Sequence, residues 1–143
     1  MQKFSKDSFN IKEALNELMH ESGVIVIENV YNLNDIEEAR EIVNHFADTQ
    51  EQKESHFNAE AEASGKIKLQ QRVWNLFGKG EVFSKLISDD IVFSLMSKLL
   101  GSEFFCGSYC ASRLLPGSPG QELHLDYPYW DFYNSETFPM GLN

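Results

Sequence analysis

The sequence has little cysteine and no long apolar run. Cys106 and Cys110 are its only cysteines, and on an extended strand about 13 Å would separate them, too far for a mutual disulfide. We expect small buried side chains or free thiols there. No segment has the roughly 18 consecutive apolar residues of a membrane span, and the first residues lack the apolar stretch of a secretion signal. A membrane is therefore not an expected partner, and a cytoplasmic location is predicted.

Positive charge is also scarce. The chain has 12 Lys and Arg residues against 22 Asp and Glu residues, which gives a net charge of −10 without any basic cluster. Such a surface repels polyanions, so nucleic acid is not an expected partner and a highly phosphorylated substrate is disfavoured. With 143 residues, of which 42% are hydrophobic, the chain is predicted to form a single domain over residues 1–143.

Helical patterns prevail in the first two thirds of the chain. Asn10 followed by Glu13 predicts the start of a first helix over 11–21, which Gly23 would end. Asn34 followed by Glu37 predicts the start of a second helix. The other expected elements are a buried strand at 24–27, a poorly patterned polar segment at 48–66, an extended arm at 67–77, and a third helix capped by Ser88 or Asp89 and ending at Gly101.

The hydrophobic period changes to two after residue 104. Strands are predicted at 104–115 and 121–127, with the turn Pro116 to Gly120 between them. On the second strand, Glu122, His124 and Asp126 would project from the polar face. The strand thus presents two potential metal ligands on one side.

His124 and Asp126 are the main candidates for chemistry. On a strand, the roots of their side chains would lie roughly 6 to 7 Å apart on one face, so one metal ion could bind both. An imidazole and a carboxylate are two-thirds of the facial triad of non-haem iron oxygenases, which leaves positions open for substrate and oxygen. The alternative is a surface strand that carries two polar residues. No histidine follows His124 to supply a third ligand.

Several segments also follow one another in a characteristic order. They are the stretch 21–30, where a glycine precedes an apolar strand, a helix beginning near Asn34, the helix end Leu99-Leu100-Gly101, the dipeptide Pro116-Gly117, and the motif His124-Leu125-Asp126-Tyr127-Pro128. In this order they resemble the amino-terminal half of the phytanoyl-CoA dioxygenase family, and the similarity covers nearly the whole chain.

The resemblance implies a fold and a reaction. The fold would be α+β, a double-stranded β-helix (jelly roll, cupin-like) with N-terminal helices, truncated after the first core strands. The activity would be hydroxylation of a small organic substrate by an Fe(II)- and 2-oxoglutarate-dependent dioxygenase, with O2 as the second cosubstrate. His124 and Asp126 would be catalytic iron ligands. Because related halogenases replace the aspartate with a small residue, Asp126 favours hydroxylation over halogenation.

The resemblance assigns three further residues. Arg72 lies near a basic position that contacts the cosubstrate carboxylate in some members, and a guanidinium suits a carboxylate. Ala111 matches a strand position that lines the cofactor pocket, and Trp130 matches an aromatic residue beside the substrate. The alternatives are a solvated arginine, ordinary packing for the alanine, and a loop aromatic that covers the core.

The chain departs from the family pattern at its end. The distal histidine and the basic residue that anchors 2-oxoglutarate lie on later strands of these enzymes, so the chain is expected to be a fragment that is inactive alone. Its unpaired strand edges would favour self-association. Two alternatives stand beside the oxygenase: a catalytically inactive binding module on the same fold, and a cupin-like metal protein with another reaction.

Overall fold

The computed structural model describes residues 1–50, 65, 69–118 and 120, and within them the fold is α+β. The strands are β1 (Gln2–Ser5), β2 (Ile25–Glu28), β3 (Gln70–Val73) and β4 (Ala111–Leu114), and the helices are α1 (Ile11–His20), α2 (Leu33–Thr49), α3 (Glu81–Ile87) and α4 (Asp90–Leu100), with 3-10 turns at Lys6–Ser8 and Leu76–Gly78. The strands form two separate two-stranded sheets. The α+β class is therefore confirmed, and the described strands form no closed barrel.

The chain divides into two compact units. The first unit comprises Met1–Ile42 and Leu76–Gly107, and the second comprises the described parts of Val43–Asn75 and Ser108–Asn143. Each unit contains one of the two sheets. No described helix has both the length and the apolar character needed to cross a membrane.

The first unit is built around a parallel pair of strands. β1 pairs with β2 in the register Gln2↔Ile25 to Ser5↔Glu28. The predicted strand at 24–27 is thus present one residue later, but it is only half-buried, and Val24 precedes it with 52% of its surface exposed. A wholly apolar sequence predicts cover on both faces of a strand, so the prediction of a buried strand was wrong in its degree of burial.

Two helices cover this sheet and close the core of the first unit. The buried residues of this core are Phe4, Ala14 and Leu95, and the half-buried side chains packed against them are Phe9, Ile11, Leu15, Leu18, Ile25, Ile27, Met96 and Leu99. The apolar stripes of α1 and α4 supply most of this set, as their helical periodicity predicted.

The hydrogen bonds of the N-terminal cap confirm the predicted start of α1. Asn10 Oδ1 accepts hydrogen bonds from the backbone N–H groups of Lys12 and Glu13 at 3.0 and 3.4 Å, and Asn10 Nδ2 donates to Glu13 Oε1 at 2.9 Å. The side chain therefore satisfies N–H groups that no preceding turn can bind. The helix ends at His20, and Gly23 follows with φ of +72°.

The second helix starts earlier than predicted. Its cap is Asn32, whose Oδ1 accepts from the backbone N–H of Asp35 at 2.8 Å, so α2 begins at Leu33. The prediction of a start at Asn34 was wrong. Asn34 with Glu37 matches the usual pattern, but the cap is Asn32, whose Nδ2 also donates to Asp35 Oδ2 at 2.5 Å, so the shorter Asp35 takes the place of the usual Glu or Gln.

The segment between the 3-10 turn and α4 contains a helix that was not predicted. α3 begins after Gly80 and buries Val82 and Phe83 almost fully. Its seven residues are too few for a clear helical period. The cap of α4 is Asp89, which accepts from the N–H of Ile91 at 3.0 Å, as the sequence predicted. Gly101 ends α4 with φ of +88°.

The second unit contains an antiparallel pair. β3 pairs with β4 in the register Gln70↔Leu114 to Val73↔Ala111. The extended arm predicted at 67–77 is confirmed only over β3, because the 3-10 turn Leu76–Gly78 follows it. The predicted strand at 104–115 is confirmed only over β4. Residues 104–110 are not part of a strand.

Cys106 and Cys110 form no disulfide. This confirms the prediction that they do not bond each other. Cys106 is exposed and Cys110 is half-buried, so of the two predicted alternatives Cys106 fits a thiol at the surface and not a small buried side chain. The reason is that residue 106 lies outside any strand, where the predicted alternation of faces has no meaning.

Candidate functional site

The strand and turn that lead to the proposed metal motif are described. The backbone N–H of Leu115 donates to Leu69 O at 2.8 Å and so extends the pairing of β4 by one residue. The N–H of Ser118 then donates to Leu115 O at 3.0 Å, and Gly117 has φ of +84°. Pro116 and Gly117 thus occupy the two central positions of a type II turn, which needs a positive φ at the second one.

The proposed ligands themselves lie outside the described residues. His124, Asp126 and Trp130 all fall within 121–143, as does the predicted strand at 121–127. Their assignment stays a prediction. Within the described part of the chain, no group of three or more His, Cys, Asp or Glu residues could hold a metal ion.

Arg72 and Ala111 lie on adjacent strands but on opposite faces of the sheet. Arg72 pairs with Ser112, and Ala111 pairs with Val73, which is fully buried. Directly paired residues share a face, and consecutive residues alternate between faces. The structure therefore does not bring the two predicted cofactor residues together.

The Arg72 side chain contacts an aromatic ring. Its guanidinium carbon lies 5.4 Å from the centre of the Trp74 ring, within the range of a cation–π interaction. This contact holds the guanidinium on the face that Arg72 shares with Ser112. The assignment of Arg72 to the cosubstrate carboxylate stays a prediction.

Arg113 makes three side-chain hydrogen bonds in the described part of the second unit. Its Nε donates to Gln71 Oε1 at 2.7 Å, its Nη1 donates to Asn44 Oδ1 at 3.0 Å, and its Nη2 donates to Asp48 Oδ1. Each guanidinium nitrogen thus binds a different side chain. We call these four residues the Arg113 clamp. It joins β4 to β3 and to the carboxyl-terminal half of α2.

Secondary structure explains how the clamp forms. Gln71 is directly opposite Arg113 in the antiparallel register. Asn44 and Asp48 are four residues apart on α2, so they project from one face of that helix. The planar guanidinium, with its fixed fork of donors, reaches all three acceptors at once.

The clamp also lowers the pKa of the Asp48 carboxyl. The hydrogen bond from Arg113 holds the pKa of the Asp48 carboxyl below its usual value of 3.8, with the charge of Arg113 and that of His45 acting in the same direction. Asp48 has 65% of its side chain exposed, whereas Arg113 has only 24% exposed. Arg113, the less exposed residue of the pair, therefore depends more on hydrogen bonds to its partners than Asp48 does.

Sequence reasoning missed the clamp, although one signal for it exists. In the predicted strand Arg113 falls on the same alternating face as Ala111, and Ala111 pairs with the fully buried Val73 on that face. An arginine on a face that packs against the protein needs partners for its charge. The partners could not be found without the register and the position of α2.

A separate groove lies between α1 and α4 in the first unit. Its volume is about 420 Å³, and its lining residues are Lys12, Leu15, Asn16, Met19, His20, Lys98 and Leu99. No carboxylate or thiol lines it. The groove therefore lacks the ligand set of a metal centre.

Comparison with known proteins gives no relative. The chain matches no protein-family model, no curated protein and no solved structure. The resemblance to the phytanoyl-CoA dioxygenase family thus depends on the residues quoted above, and the assignment of function depends on chemistry.

Proposed function

We propose that this chain supplies the amino-terminal part of an Fe(II)- and 2-oxoglutarate-dependent dioxygenase that hydroxylates a small organic substrate in the cytoplasm. The observation that carries the proposal is the type II turn after β4. It reverses the chain at Pro116 and Gly117, a few residues before His124-Leu125-Asp126. A strand, a tight turn and a His-x-Asp strand are the element order that the family resemblance implies.

The proposed fold extends the described sheet. In this proposal β3 and β4 are the first strands of the double-stranded β-helix, and the segment with His124 and Asp126 adds the next one. Helices pack outside such a barrel, and the Arg113 clamp ties α2 to one face of the β3–β4 pair. The opposite face, with Arg72 and Ser112, would then be the one turned towards the interior of the barrel.

The donor chemistry of the motif fits ferrous iron. Imidazole nitrogen and carboxylate oxygen are ligands that non-haem Fe(II) accepts, and His124 must be neutral and Asp126 ionised to bind. The bound iron would supply activation of O2 with 2-oxoglutarate as the reducing cosubstrate. The remaining ligand is not assigned to any described residue.

In this proposal the other predicted residues keep distinct roles. Arg72 would offer its guanidinium to a carboxylate from the interior face, and Trp130 would border the substrate. Ala111 shares its face with Val73, so its contribution would be to packing under the pocket rather than to contact with the cosubstrate. In this proposal Arg72 would thus bind the cosubstrate, whereas Ala111 would only pack.

The proposal is tested by anaerobic titration of the purified protein with Fe(II) and 2-oxoglutarate. Chelation of ferrous iron by the 2-oxo acid is expected to give a visible charge-transfer band. His124→Ala and Asp126→Ala should remove this band, whereas His20→Ala, a change of an exposed histidine in α1, should leave it unchanged. A band that survives His124→Ala would contradict the proposal, and the absence of any band in the unaltered protein would favour the second candidate below.

A second candidate is a binding module without catalysis that self-associates through its strand edges. Large apolar side chains favour it: Phe105 is 86% exposed and Leu114 at the end of β4 is 64% exposed. Each described strand also has a single described neighbour, and an open edge is a template for pairing with another chain. Sedimentation that depends on protein concentration, together with no iron-dependent band, would favour this candidate over the oxygenase.

A further inference from the structure

We propose that the groove between α1 and α4 is a docking surface for an acidic amphipathic helix of a partner protein. The groove lies entirely within the first unit. Its open shape, its apolar part and its unbalanced positive charge carry the inference. The oxygenase activity proposed above is not needed for it.

The groove is elongated and open to solvent. Its lining residues on α1 recur every three or four positions and so form one stripe along the helix: Lys12, Leu15, Asn16, Met19 and His20. From Lys12 to His20 the stripe is about 12 Å long, at about 1.5 Å of rise per residue. Four of these five residues are exposed, all but Leu15, and so is Lys98 on α4.

The apolar part of the groove is incompletely covered. Leu15 and Leu99 are half-buried and pack against the core of the first unit. Met19, in the same stripe of α1, has 50% of its surface exposed. A partner that covers this methionine would remove apolar surface from water, which is the dominant favourable term in most protein associations.

Two lysines give the groove a positive charge that the described residues do not balance. Three other lysines, Lys3, Lys6 and Lys85, form ion pairs with carboxylates. Neither Lys12 nor Lys98 forms an ion pair with a described residue, and no carboxylate lines the groove. The whole chain has a net charge of −10, so this positive site is local, and it favours an anionic partner because more distant charges are screened beyond about 8 Å.

An acidic amphipathic helix matches these three features. A pocket for a small ligand usually encloses most of the ligand's surface, which an open groove does not do. A helix that lies between two helices contacts them with apolar side chains at three- and four-residue spacing. Glu or Asp side chains beside that stripe would pair with Lys12 and Lys98. A groove of about 12 Å meets roughly two turns of the partner helix, so the complex would be weak and transient.

The experiment measures binding of two labelled peptides to the full chain by fluorescence anisotropy at about 0.15 M salt. Both peptides have about four helical turns, leucines in one stripe and a hydrocarbon bridge on the opposite face that keeps them helical. The residues that flank the leucines are all Glu in one peptide and all Lys in the other. We expect the Glu peptide to bind at least about 10-fold more tightly, because like charges at an interface are costly. The net charge of −10 alone would favour the Lys peptide.

Substitutions in the groove locate the binding site. Lys12→Met and Lys98→Met each remove one cation, and we expect each to weaken binding of the Glu peptide by about 2- to 5-fold, as for exposed ion pairs. Met19→Gln keeps the helix propensity of the side chain but not its apolar surface, and we expect a loss of about 3-fold or more. All three residues are exposed, so the circular dichroism of the variants should stay native.

The matched controls are Lys85→Met and Leu33→Gln. Lys85 pairs with Asp35 and is 62% exposed, and Leu33 is 81% exposed at the start of α2. Neither residue lines the groove. We expect both controls to bind the Glu peptide within about 1.5-fold of the unaltered protein, since distant exposed charges contribute little.

Saturable binding of the Glu peptide that weakens in the three groove variants and not in the two controls would support the docking surface. Tighter binding of the Lys peptide, equal losses in groove and control variants, or no saturable binding of the Glu peptide would overturn it. Two other occupants are tested in parallel. The inference is also wrong if the groove variants weaken binding of octanoate, a small amphipathic anion, while the Glu peptide does not bind. It is equally wrong if sedimentation shows a dimer that Met19→Gln dissociates, because a second copy of the chain would then cover the groove.

Discussion

Gln71 and Arg113 are direct partners in the antiparallel pair β3–β4, and their side chains are joined by a hydrogen bond of 2.7 Å from Nε to Oε1. The bond crosses the two strands on the face that also carries Val73, which is fully buried. A charged donor on such a face stabilises the pair only while its acceptors are present.

Removal of the Gln71 acceptor should therefore destabilise the protein. For Gln71→Ala we expect a loss of about 1–2 kcal/mol in the free energy of unfolding, because a half-buried charged donor loses its partner. A double-mutant cycle with Arg113→Met should give a coupling of about 1 kcal/mol, measured by urea unfolding.

Gln70 provides the matched comparison for this cycle. It is the neighbour of Gln71 in β3 and pairs with Leu114, so it lies on the opposite face. Gln70→Ala should couple to Arg113→Met by no more than about 0.3 kcal/mol. Equal coupling for the two glutamines would contradict the described register.

Asp48 should make stability depend on pH. Its pKa in the folded protein is lowered by the hydrogen bond from Arg113, so the unfolded chain binds a proton more readily. The stabilisation is present above the usual value of 3.8 and is lost as the pH falls through the lower folded pKa. In urea unfolding at a series of pH values, the advantage of the unaltered protein over Asp48→Asn should be largest at neutral pH and shrink below pH 3.8.

A control for net charge is available on the same helix. Glu38→Gln removes one carboxylate from an exposed position of α2. It should give a smaller difference from the unaltered protein at neutral pH than Asp48→Asn does, because the Asp48 effect requires the Arg113 partner. If both variants behave alike at every pH, the Asp48–Arg113 pair contributes nothing beyond general charge.

The cap of α1 should be worth a measurable amount. Asn10→Ala leaves the N–H groups of Lys12 and Glu13 without their acceptor, and we expect a loss of about 1 kcal/mol in the free energy of unfolding. Asn16→Ala makes the same chemical change in the interior of α1, where alanine is the better helix former, and should be neutral or slightly stabilising. Chemical unfolding followed by circular dichroism measures both, and equal losses would contradict the cap.

These helices show which parts of the fold the sequence could predict. The caps Asn10 and Asp89 lie next to the apolar stripes they serve, so a local pattern was enough to find α1 and α4. The start of α2 was misplaced by the same local rule, because Asn34 with Glu37 matches the usual pattern whereas the actual cap pairs Asn32 with Asp35. Local signals locate a helix well and its first residue less well.

Features that depend on distant partners could not be predicted in this way. β1 is a strand because β2 lies beside it, twenty-three residues later in the chain at the pair Gln2↔Ile25. The Arg113 clamp likewise needs Asn44, 69 positions away. Arg72 and Ala111 were assigned by the family resemblance, and their register, which puts them on opposite faces of the sheet, is not visible in the sequence.

Gly117, in the turn after β4, should tolerate a side chain poorly. Gly117 has φ of +84°, a conformation that a residue with a Cβ atom adopts only with strain. A Cβ placed there would lie 3.9 Å from Leu69 Cδ1, an ordinary contact, so the penalty is conformational and not a clash. For Gly117→Ala we expect a loss of about 1–2 kcal/mol in the free energy of unfolding, measured by urea titration.

Gly107→Ala is the comparison for this turn. Gly107 has no positive φ, and a Cβ there would meet no atom within 4 Å. This change should be neutral or slightly stabilising, because alanine lowers the conformational entropy of the unfolded chain. Under the proposed function, Gly117→Ala should in addition weaken iron binding and Gly107→Ala should not, since only the former alters the turn that leads to His124. Equal iron affinities in the two variants, with the expected difference in stability, would mean that the turn supports the fold but does not position the metal ligands.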